Sequence, residues 1–484
     1  MPEQFDVIIV GAGLSGIGSA YQLQQKCPNK SYVILEQRDS IGGTWDIFRY
    51  PGIRSDSDMY TLGYGHKPWH GGKVLADGPA IKQYVSETAS ENNIDKHIRY
   101  GLRVTGTAFD RQSATWSVSA EDDSGETKNF TGTMLLMCAG YYSYQRAYTP
   151  DFPGLADYRG VFFHPQFWPE GLDYADKSVI VIGSGATAVS VIPAMAKSAS
   201  KVVMLQRSPT YFWSRDSYDA VGRWLDKVLP KKIAYAITRW KNATVQRVVY
   251  GFSRIWPGPL KRHLIEQVRK QLGPDYDVET HFTPHYNPWD ERLCALDDND
   301  IYPPIKAGKV EVVTDHIERF TEVGILLKSG RELEADIVVS ATGLELVTNG
   351  EATLTVDGQP VNLPDIWSYK GMMYSNVPNL INTFGYINAS WTLRADMVAD
   401  FTCRVIHHMD ETHSKQVTPC LRASDADMVA KSWIDGFQSG YMQRGLPKFP
   451  KQGDREPWLN SQNYSREKRT IGKASVDDGV LTYT

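Results

Sequence analysis

Phe5-Asp6-Val7-Ile8-Ile9-Val10 runs directly into Gly11-Ala12-Gly13-Leu14-Ser15-Gly16, and an Ala-, Gln- and Leu-rich stretch with helical spacing follows over 15–25. A β-branched run, a glycine turn and a helix form a dinucleotide-binding unit. The turn lets the backbone approach a pyrophosphate, and the helix N-terminus offers unpaired N–H groups and the positive end of its dipole. Gly11, Gly13, Ser15 and Gly16 are therefore expected around the phosphates. A second apolar run, 32–35, ends at Glu36, where a carboxylate accepts hydrogen bonds from ribose hydroxyls and repels a 2'-phosphate. The first site thus takes a dinucleotide without that phosphate, and FAD and NAD both qualify.

The same unit recurs at Ser178-Val179-Ile180-Val181-Ile182, followed by Gly183-Ser184-Gly185-Ala186-Thr187-Ala188. Its next strand ends in Gln206-Arg207-Ser208, where the first unit had Glu36. The sign of charge has reversed, and the Arg207 guanidinium with the Ser208 hydroxyl suits the 2'-phosphate of NADP. Two such units predict an α/β fold with two Rossmann-like domains, and 484 residues are too many for one ordinary core. A hydrophobic content of 42% and a charged content of 22% describe a globular chain. The net charge of -4 argues against nucleic acid as a partner. Five scattered cysteines form no CxxC pair and no metal spacing, which fits a reducing cytoplasmic setting, and no metal is expected. The first strand begins too early to leave room for a signal peptide.

Three further strings lie between and around the two units. Ile41-Gly42-Gly43-Thr44-Trp45-Asp46 follows the acidic strand end, then Arg49-Tyr50-Pro51-Gly52-Ile53-Arg54-Ser55-Asp56. Tyr158-Arg159-Gly160-Val161-Phe162-Phe163-His164-Pro165-Gln166-Phe167-Trp168-Pro169 joins the first unit to the second. Together they resemble the type I Baeyer–Villiger monooxygenases, with Tyr158 in place of the leading Phe of the family fingerprint. Residues 286–294 and 308–313 look most like the ethionamide-activating subgroup. Flavin disulfide reductases are disfavoured, since no Cys lies between Cys27 and Cys138.

The resemblance covers nearly the whole chain. It implies FAD in the first site, held also by Gly43, Thr44, Trp45, Asp46, Asp56 and the Val104 backbone. It implies NADPH in the second, with Arg54, Ser55 and Asp56 contributing. It makes Arg292 the catalytic cation over the flavin, Asp56 its partner and His164 the residue coordinating the two domains. The 388–393 bend is placed beside the flavin ring, so that Met373, Asn388, Trp391 and Thr392 line a substrate pocket. The implied activity inserts one oxygen atom of O2 into small apolar ketones through a C4a-peroxyflavin, giving esters or lactones, with sulfides or thioamides also oxidised. The alternatives are an S- or N-oxygenating flavin monooxygenase and, from another class, a nucleotide-binding regulator. Many members carry Lys before the catalytic Arg; here it is Glu291, which weakens the expected selectivity for NADPH.

The expected domain plan is an FAD domain over 1–145 and 345–484, an NADP domain over 146–214 and 286–344, and a helical insertion over 215–285. The insertion is basic with interleaved Trp224, Trp240 and Trp256. Such helices can lie at lipid headgroups, but the pattern shows no long uninterrupted apolar face, so a helical cover on the NADP domain is expected and membrane contact is not. Oligomeric state and the region after Ser465 are left open.

Overall fold

The strand Glu3–Val10 sits near the centre of the larger sheet because Val7, Ile8, Ile9 and Val10 leave it no polar face, and a strand buried on both sides must be covered on both. In the computed structural model, which describes residues 2–70, 72–291 and 293–484, it pairs in parallel with Tyr32–Leu35 on one side and Thr127–Met137 on the other. The nine-stranded sheet continues through the antiparallel strands Thr115–Glu121 and Arg103–Asp110. Late strands complete it. Thr353–Val356 joins Arg103–Asp110, and Leu380–Asn382 lies beside Thr127–Met137. The helix Leu14–Lys26 packs on the sheet and against the long helix Thr392–Thr412.

The second sheet is wholly parallel, in the order Val310–Thr314, Lys201–Gln206, Ser178–Ile182, Ile337–Ser340, Val161–Phe163. Its inner strands are continuous apolar runs, as parallel strands covered on both faces require. The fingerprint connector supplies the edge strand Val161–Phe163, and Tyr158 Oη donates to Ala335 O at 2.8 Å. The chain leaves the first sheet along Tyr142–Ala147 and returns along Leu344–Leu346, and these two connectors pair antiparallel.

Between the halves of the second sheet lies the helical insertion, with helices Ala220–Val228, Lys231–Ile255 and Pro257–Leu272. Here the structure corrects the sequence reading. Ile233, Ile237, Trp240, Val248 and Ile255 lie on one exposed face of the long helix, so the insertion does present an apolar surface. Among the described residues no helix is long and apolar enough to cross a membrane.

The C-terminal region is structural. Leu481–Tyr483 pairs with Val417–Pro419, and Glu467 in the helix Tyr464–Thr470 is buried 3.0 Å from Arg394 Nε.

Candidate active site

The two glycine turns use the same device. Gly11 has φ +103°, and a Cβ there would stand 2.6 Å from Cys138 O. Gly183 has φ +129°, and its Cβ would stand 2.5 Å from Ala341 O. Each turn is pressed against the end of the neighbouring strand, a conformation and a clearance that only glycine meets. Gly13 and Gly185 N-cap the helices Leu14–Lys26 and Ala186–Met195 without a side-chain hydrogen bond, so the first-turn N–H groups remain for an anion.

Around the first turn the structure gathers most of the expected flavin residues. Glu36 Oε2 accepts from Ala12 N–H at 2.7 Å and Oε1 from Arg38 N–H at 3.0 Å. Burial pushes its pKa above the usual carboxylate range, while those N–H groups pull the other way. Glu36, Gly11, Gly13, Ser15, Gly43, Thr44, Trp45 and Val104 all line one cleft. Asp46 does not. It turns away and receives Lys82 Nζ at 2.6 Å together with Arg38; burial opposes its ionisation, but these cations hold its pKa below the usual value. Trp391 Nε1–H donates to Ser15 Oγ at 2.7 Å, and its ring stacks on Tyr141 at 5.3 Å. Asn388 lines the same cleft.

Two residues that the sequence did not single out also face this cleft. The buried Gln246 Oε1, from the long insertion helix, and Trp289 Nε1 have no hydrogen-bond partner among the described residues. Unsatisfied buried polar atoms are costly, and these two face space that a bound molecule can fill. Trp289 also holds φ +72°, uncommon for a residue with a side chain. Its place in the string 287–292 was a usable signal; Gln246 carried none.

Of the other expected substrate-pocket residues, Met373 is fully buried in the core beneath the sheet. Thr392 spends its hydroxyl on Leu62 O at 2.7 Å and Thr61 O at 2.9 Å. Neither lines the cleft. Arg292 lies outside the described residues. Its chain neighbours divide between two clefts, Leu293 lining this one and Glu291 a second.

The second cleft opens on Ser184, Gly185, Ala186 and Thr187, with Arg207 and Ser208 at its rim. Ala188 is buried inside the helix. Glu291 stands near Arg207: burial raises its pKa, and the guanidinium opposes that rise. Arg444, missed by the sequence reading, reaches in from the C-terminal segment and lies 3.3 Å from the centre of the Tyr148 ring. Burial and the charge of Arg207 both pull its pKa below the usual guanidinium value, so two cations face the same space.

Arg54 lines this cleft, with its guanidinium paired to Asp300, Nη1 2.5 Å and Nη2 3.2 Å from the carboxylate. Ser55 Oγ donates to Ser57 O at 2.9 Å. His164 lines this cleft but has both ring nitrogens engaged. Nδ1 accepts from Gln166 N–H at 3.1 Å, which assigns the proton to Nε2, 2.9 Å from Gly343 O. Burial holds its pKa down to about 4.

The two clefts share a wall. Thr44, Trp45, Ser55, Asp56 and Tyr142 line both. Such an arrangement defines a flavoprotein that receives electrons from a nicotinamide dinucleotide, and the residues present fit FAD in the first cleft and NADP in the second.

The chain belongs to the flavin-binding monooxygenase-like family, which matches residues 75–349, and an NAD(P)-binding Rossmann-like domain matches residues 9–87. It is an NADPH-dependent flavin monooxygenase. It is 49% identical over 485 residues to the FAD-containing monooxygenase EthA of Mycolicibacterium smegmatis, covering 100% of this chain and 98% of that protein. It is 48% identical to the protein of the same name from Mycobacterium tuberculosis, with the same coverage. Cyclohexanone monooxygenase from Rhodococcus sp. Phi1 bound to NADP+ shares the fold at TM-score 0.79 with 18% identity, covering 100% of both chains. Oxidized steroid monooxygenase bound to NADP does so at TM-score 0.78 with 21% identity, covering 99% of each.

Proposed function

We propose that this enzyme inserts one atom of O2 into apolar ketones to give esters or lactones, and also oxidises sulfide or thioamide sulfur. The observation that carries the reading is the shared wall: Asp56 and Trp45 each line both clefts. Bound FAD, reduced by NADPH, supplies the activation of O2. The chain's own residues do the rest. Trp391, Tyr141 and Phe437 crowd the flavin-side cleft with aromatic surface that excludes water. Arg292 supplies a fixed positive charge for the oxyanion that forms when a ketone carbonyl is attacked, and Asp56 orients that guanidinium. Arg207, Ser208 and Arg444 hold the 2'-phosphate, while Glu291 tempers Arg207. His164, neutral and doubly hydrogen-bonded, positions the connector against the NADP domain and takes no part in proton transfer. A fold neighbour is an ε-caprolactone-bound cyclohexanone monooxygenase, and that lactone is what oxygen insertion into cyclohexanone would yield.

The test is product analysis with FAD-loaded protein, NADPH and a panel of linear ketones, cyclic ketones and aryl sulfides. Esters or lactones support the reading. Sulfoxides alone would move the assignment to an S-oxygenating monooxygenase, the alternative favoured by the likeness of 286–294 to the ethionamide-activating subgroup.

A further inference from the structure

The helical insertion concentrates exposed apolar side chains and positive charge. Twelve of the eighteen exposed large hydrophobic side chains among the described residues fall between Tyr218 and Trp256. Over 227–265 there are nine Lys and Arg and no Asp or Glu, in a chain whose net charge is -4. On the long helix Lys231–Ile255, the residues Ile233, Ile237, Trp240, Val248 and Ile255 repeat at helical spacing, so they share one face. Trp240 is 66% and Ile255 68% exposed, and Trp224 and Trp256 are each 61% exposed nearby. Some of the cations are spoken for: Lys241 pairs with Asp219, Arg239 with Asp396 and Arg254 with Asp290. Lys227, Lys231, Lys232 and Arg262 have no carboxylate partner among the described residues. Beside the apolar stripe a recess lined by Lys232, Trp240, Arg247 and Lys468 offers cations and an aromatic edge together.

We infer that this face is a peripheral membrane-binding surface that lies on an anionic lipid bilayer. An apolar stripe with tryptophans, bordered by lysines and arginines and free of acids, matches both the acyl boundary and the phosphate layer of such a surface. The charge excess selects this occupant over a second copy of the chain, because two such faces would bring like charges together. The helix lies on the bilayer and does not span it. Its opposite side carries Gln246 into the flavin-side cleft. The same helix therefore faces lipid on one side and walls the pocket on the other, an arrangement suited to apolar substrates dissolved in the bilayer.

Vesicle co-sedimentation of the FAD-loaded protein tests this without substrate or NADPH, so its outcome is independent of the proposed chemistry. The protein is mixed with phosphatidylcholine vesicles, or with vesicles of equal parts phosphatidylcholine and phosphatidylglycerol. Two variants are compared, Trp240→Glu with Ile255→Glu, and Lys227→Gln with Lys231→Gln and Lys232→Gln; all five sites are exposed, and FAD content reports that the fold survives. Partitioning onto the anionic vesicles, reduced at least tenfold in the Glu variant and severalfold in the Gln variant, is the expected result. No partitioning of the wild type, or partitioning that both variants retain, overturns it. So does wild-type self-association without vesicle binding that Trp240→Glu removes, which would assign the face to a second copy.

Discussion

At the residue scale the site is a problem in the placing of charge. Arg207 and Arg444 face one cleft with Glu291 close to Arg207. Removing a charged hydrogen-bond partner costs about 1.5–3 kcal/mol. Arg444→Ala should therefore raise the NADPH Michaelis constant about tenfold or more with little effect on NADH, and weaken equilibrium binding of 2',5'-ADP in the absence of turnover; equal effects on both coenzymes would remove Arg444 from the phosphate site. Arg292→Ala should abolish ester formation while FAD stays bound and reducible, and a variant that still makes ester would clear Arg292 of its role. His164 gives a prediction in pH. Its folded pKa of about 4 lies below its ordinary 6.5, so the unfolded chain binds the proton first as pH falls. The stability it confers is complete above 6.5 and is lost as pH drops towards 4. Urea midpoints at pH 7 and pH 5 should differ less in His164→Asn than in the wild type. His66, also held down to about 4 by burial, keeps part of the slope in both. Arg207 was legible because it stands a fixed step beyond a glycine turn. Arg444 was not, since it arrives from a segment more than two hundred residues later with no local pattern to announce it.

At the scale of elements, the two strand, turn and helix units were legible for a physical reason: their signals are local, a β-branched run and glycines within a few residues of each other. Thr353–Val356 and Leu380–Asn382 joining a sheet begun at Glu3 could not be read the same way, because short late strands are specified by their partners. The exposed face of Lys231–Ile255 was missed because the interleaved basic residues mask the apolar spacing when the sequence is read linearly. The region after Ser465 hid a buried charge. Arg394 is fully buried and Glu467 nearly so, with Nε 3.0 Å from the carboxylate though not aligned for a hydrogen bond. Tyr386 Oη and Ser461 Oγ donate to the same carboxylate at 2.7 and 2.9 Å. Breaking one side of such a pair strands the other charge, at about 3–5 kcal/mol. Glu467→Gln should lower the urea midpoint accordingly. The double variant Arg394→Met with Glu467→Leu should recover much of the loss, which a simple loss of packing would not allow.

For the whole molecule the question is what keeps two separately built clefts aligned along one wall. The connectors Tyr142–Ala147 and Leu344–Leu346 pair with each other through the backbone, and the Gln166 side chain adds a hydrogen bond from Nε2 to Ser143 O at 2.7 Å. One side-chain fastening between the halves is Arg54 with Asp300. Arg54 precedes Ser55 and Asp56 on the shared wall, and Asp300 follows the strand Leu293–Asp297 of the other half. Burial raises the Asp300 pKa even though Arg54 pulls it down, so the contact is partly desolvated. Asp300→Ala would leave both dinucleotide pockets chemically intact while freeing Arg54 and loosening the wall that carries Asp56. A small misplacement between reacting groups lowers the rate of the productive step steeply. The expected outcome is a severalfold fall in oxygenated product per NADPH oxidised, with hydrogen peroxide making up the difference. FAD content and 2',5'-ADP affinity should stay at the wild-type level. Asp300→Glu, which restores the carboxylate, should recover part of the yield. Loss of FAD or of 2',5'-ADP binding in Asp300→Ala would instead make the pair a support of one pocket, and unchanged product yield would show that the other fastenings hold the wall without it.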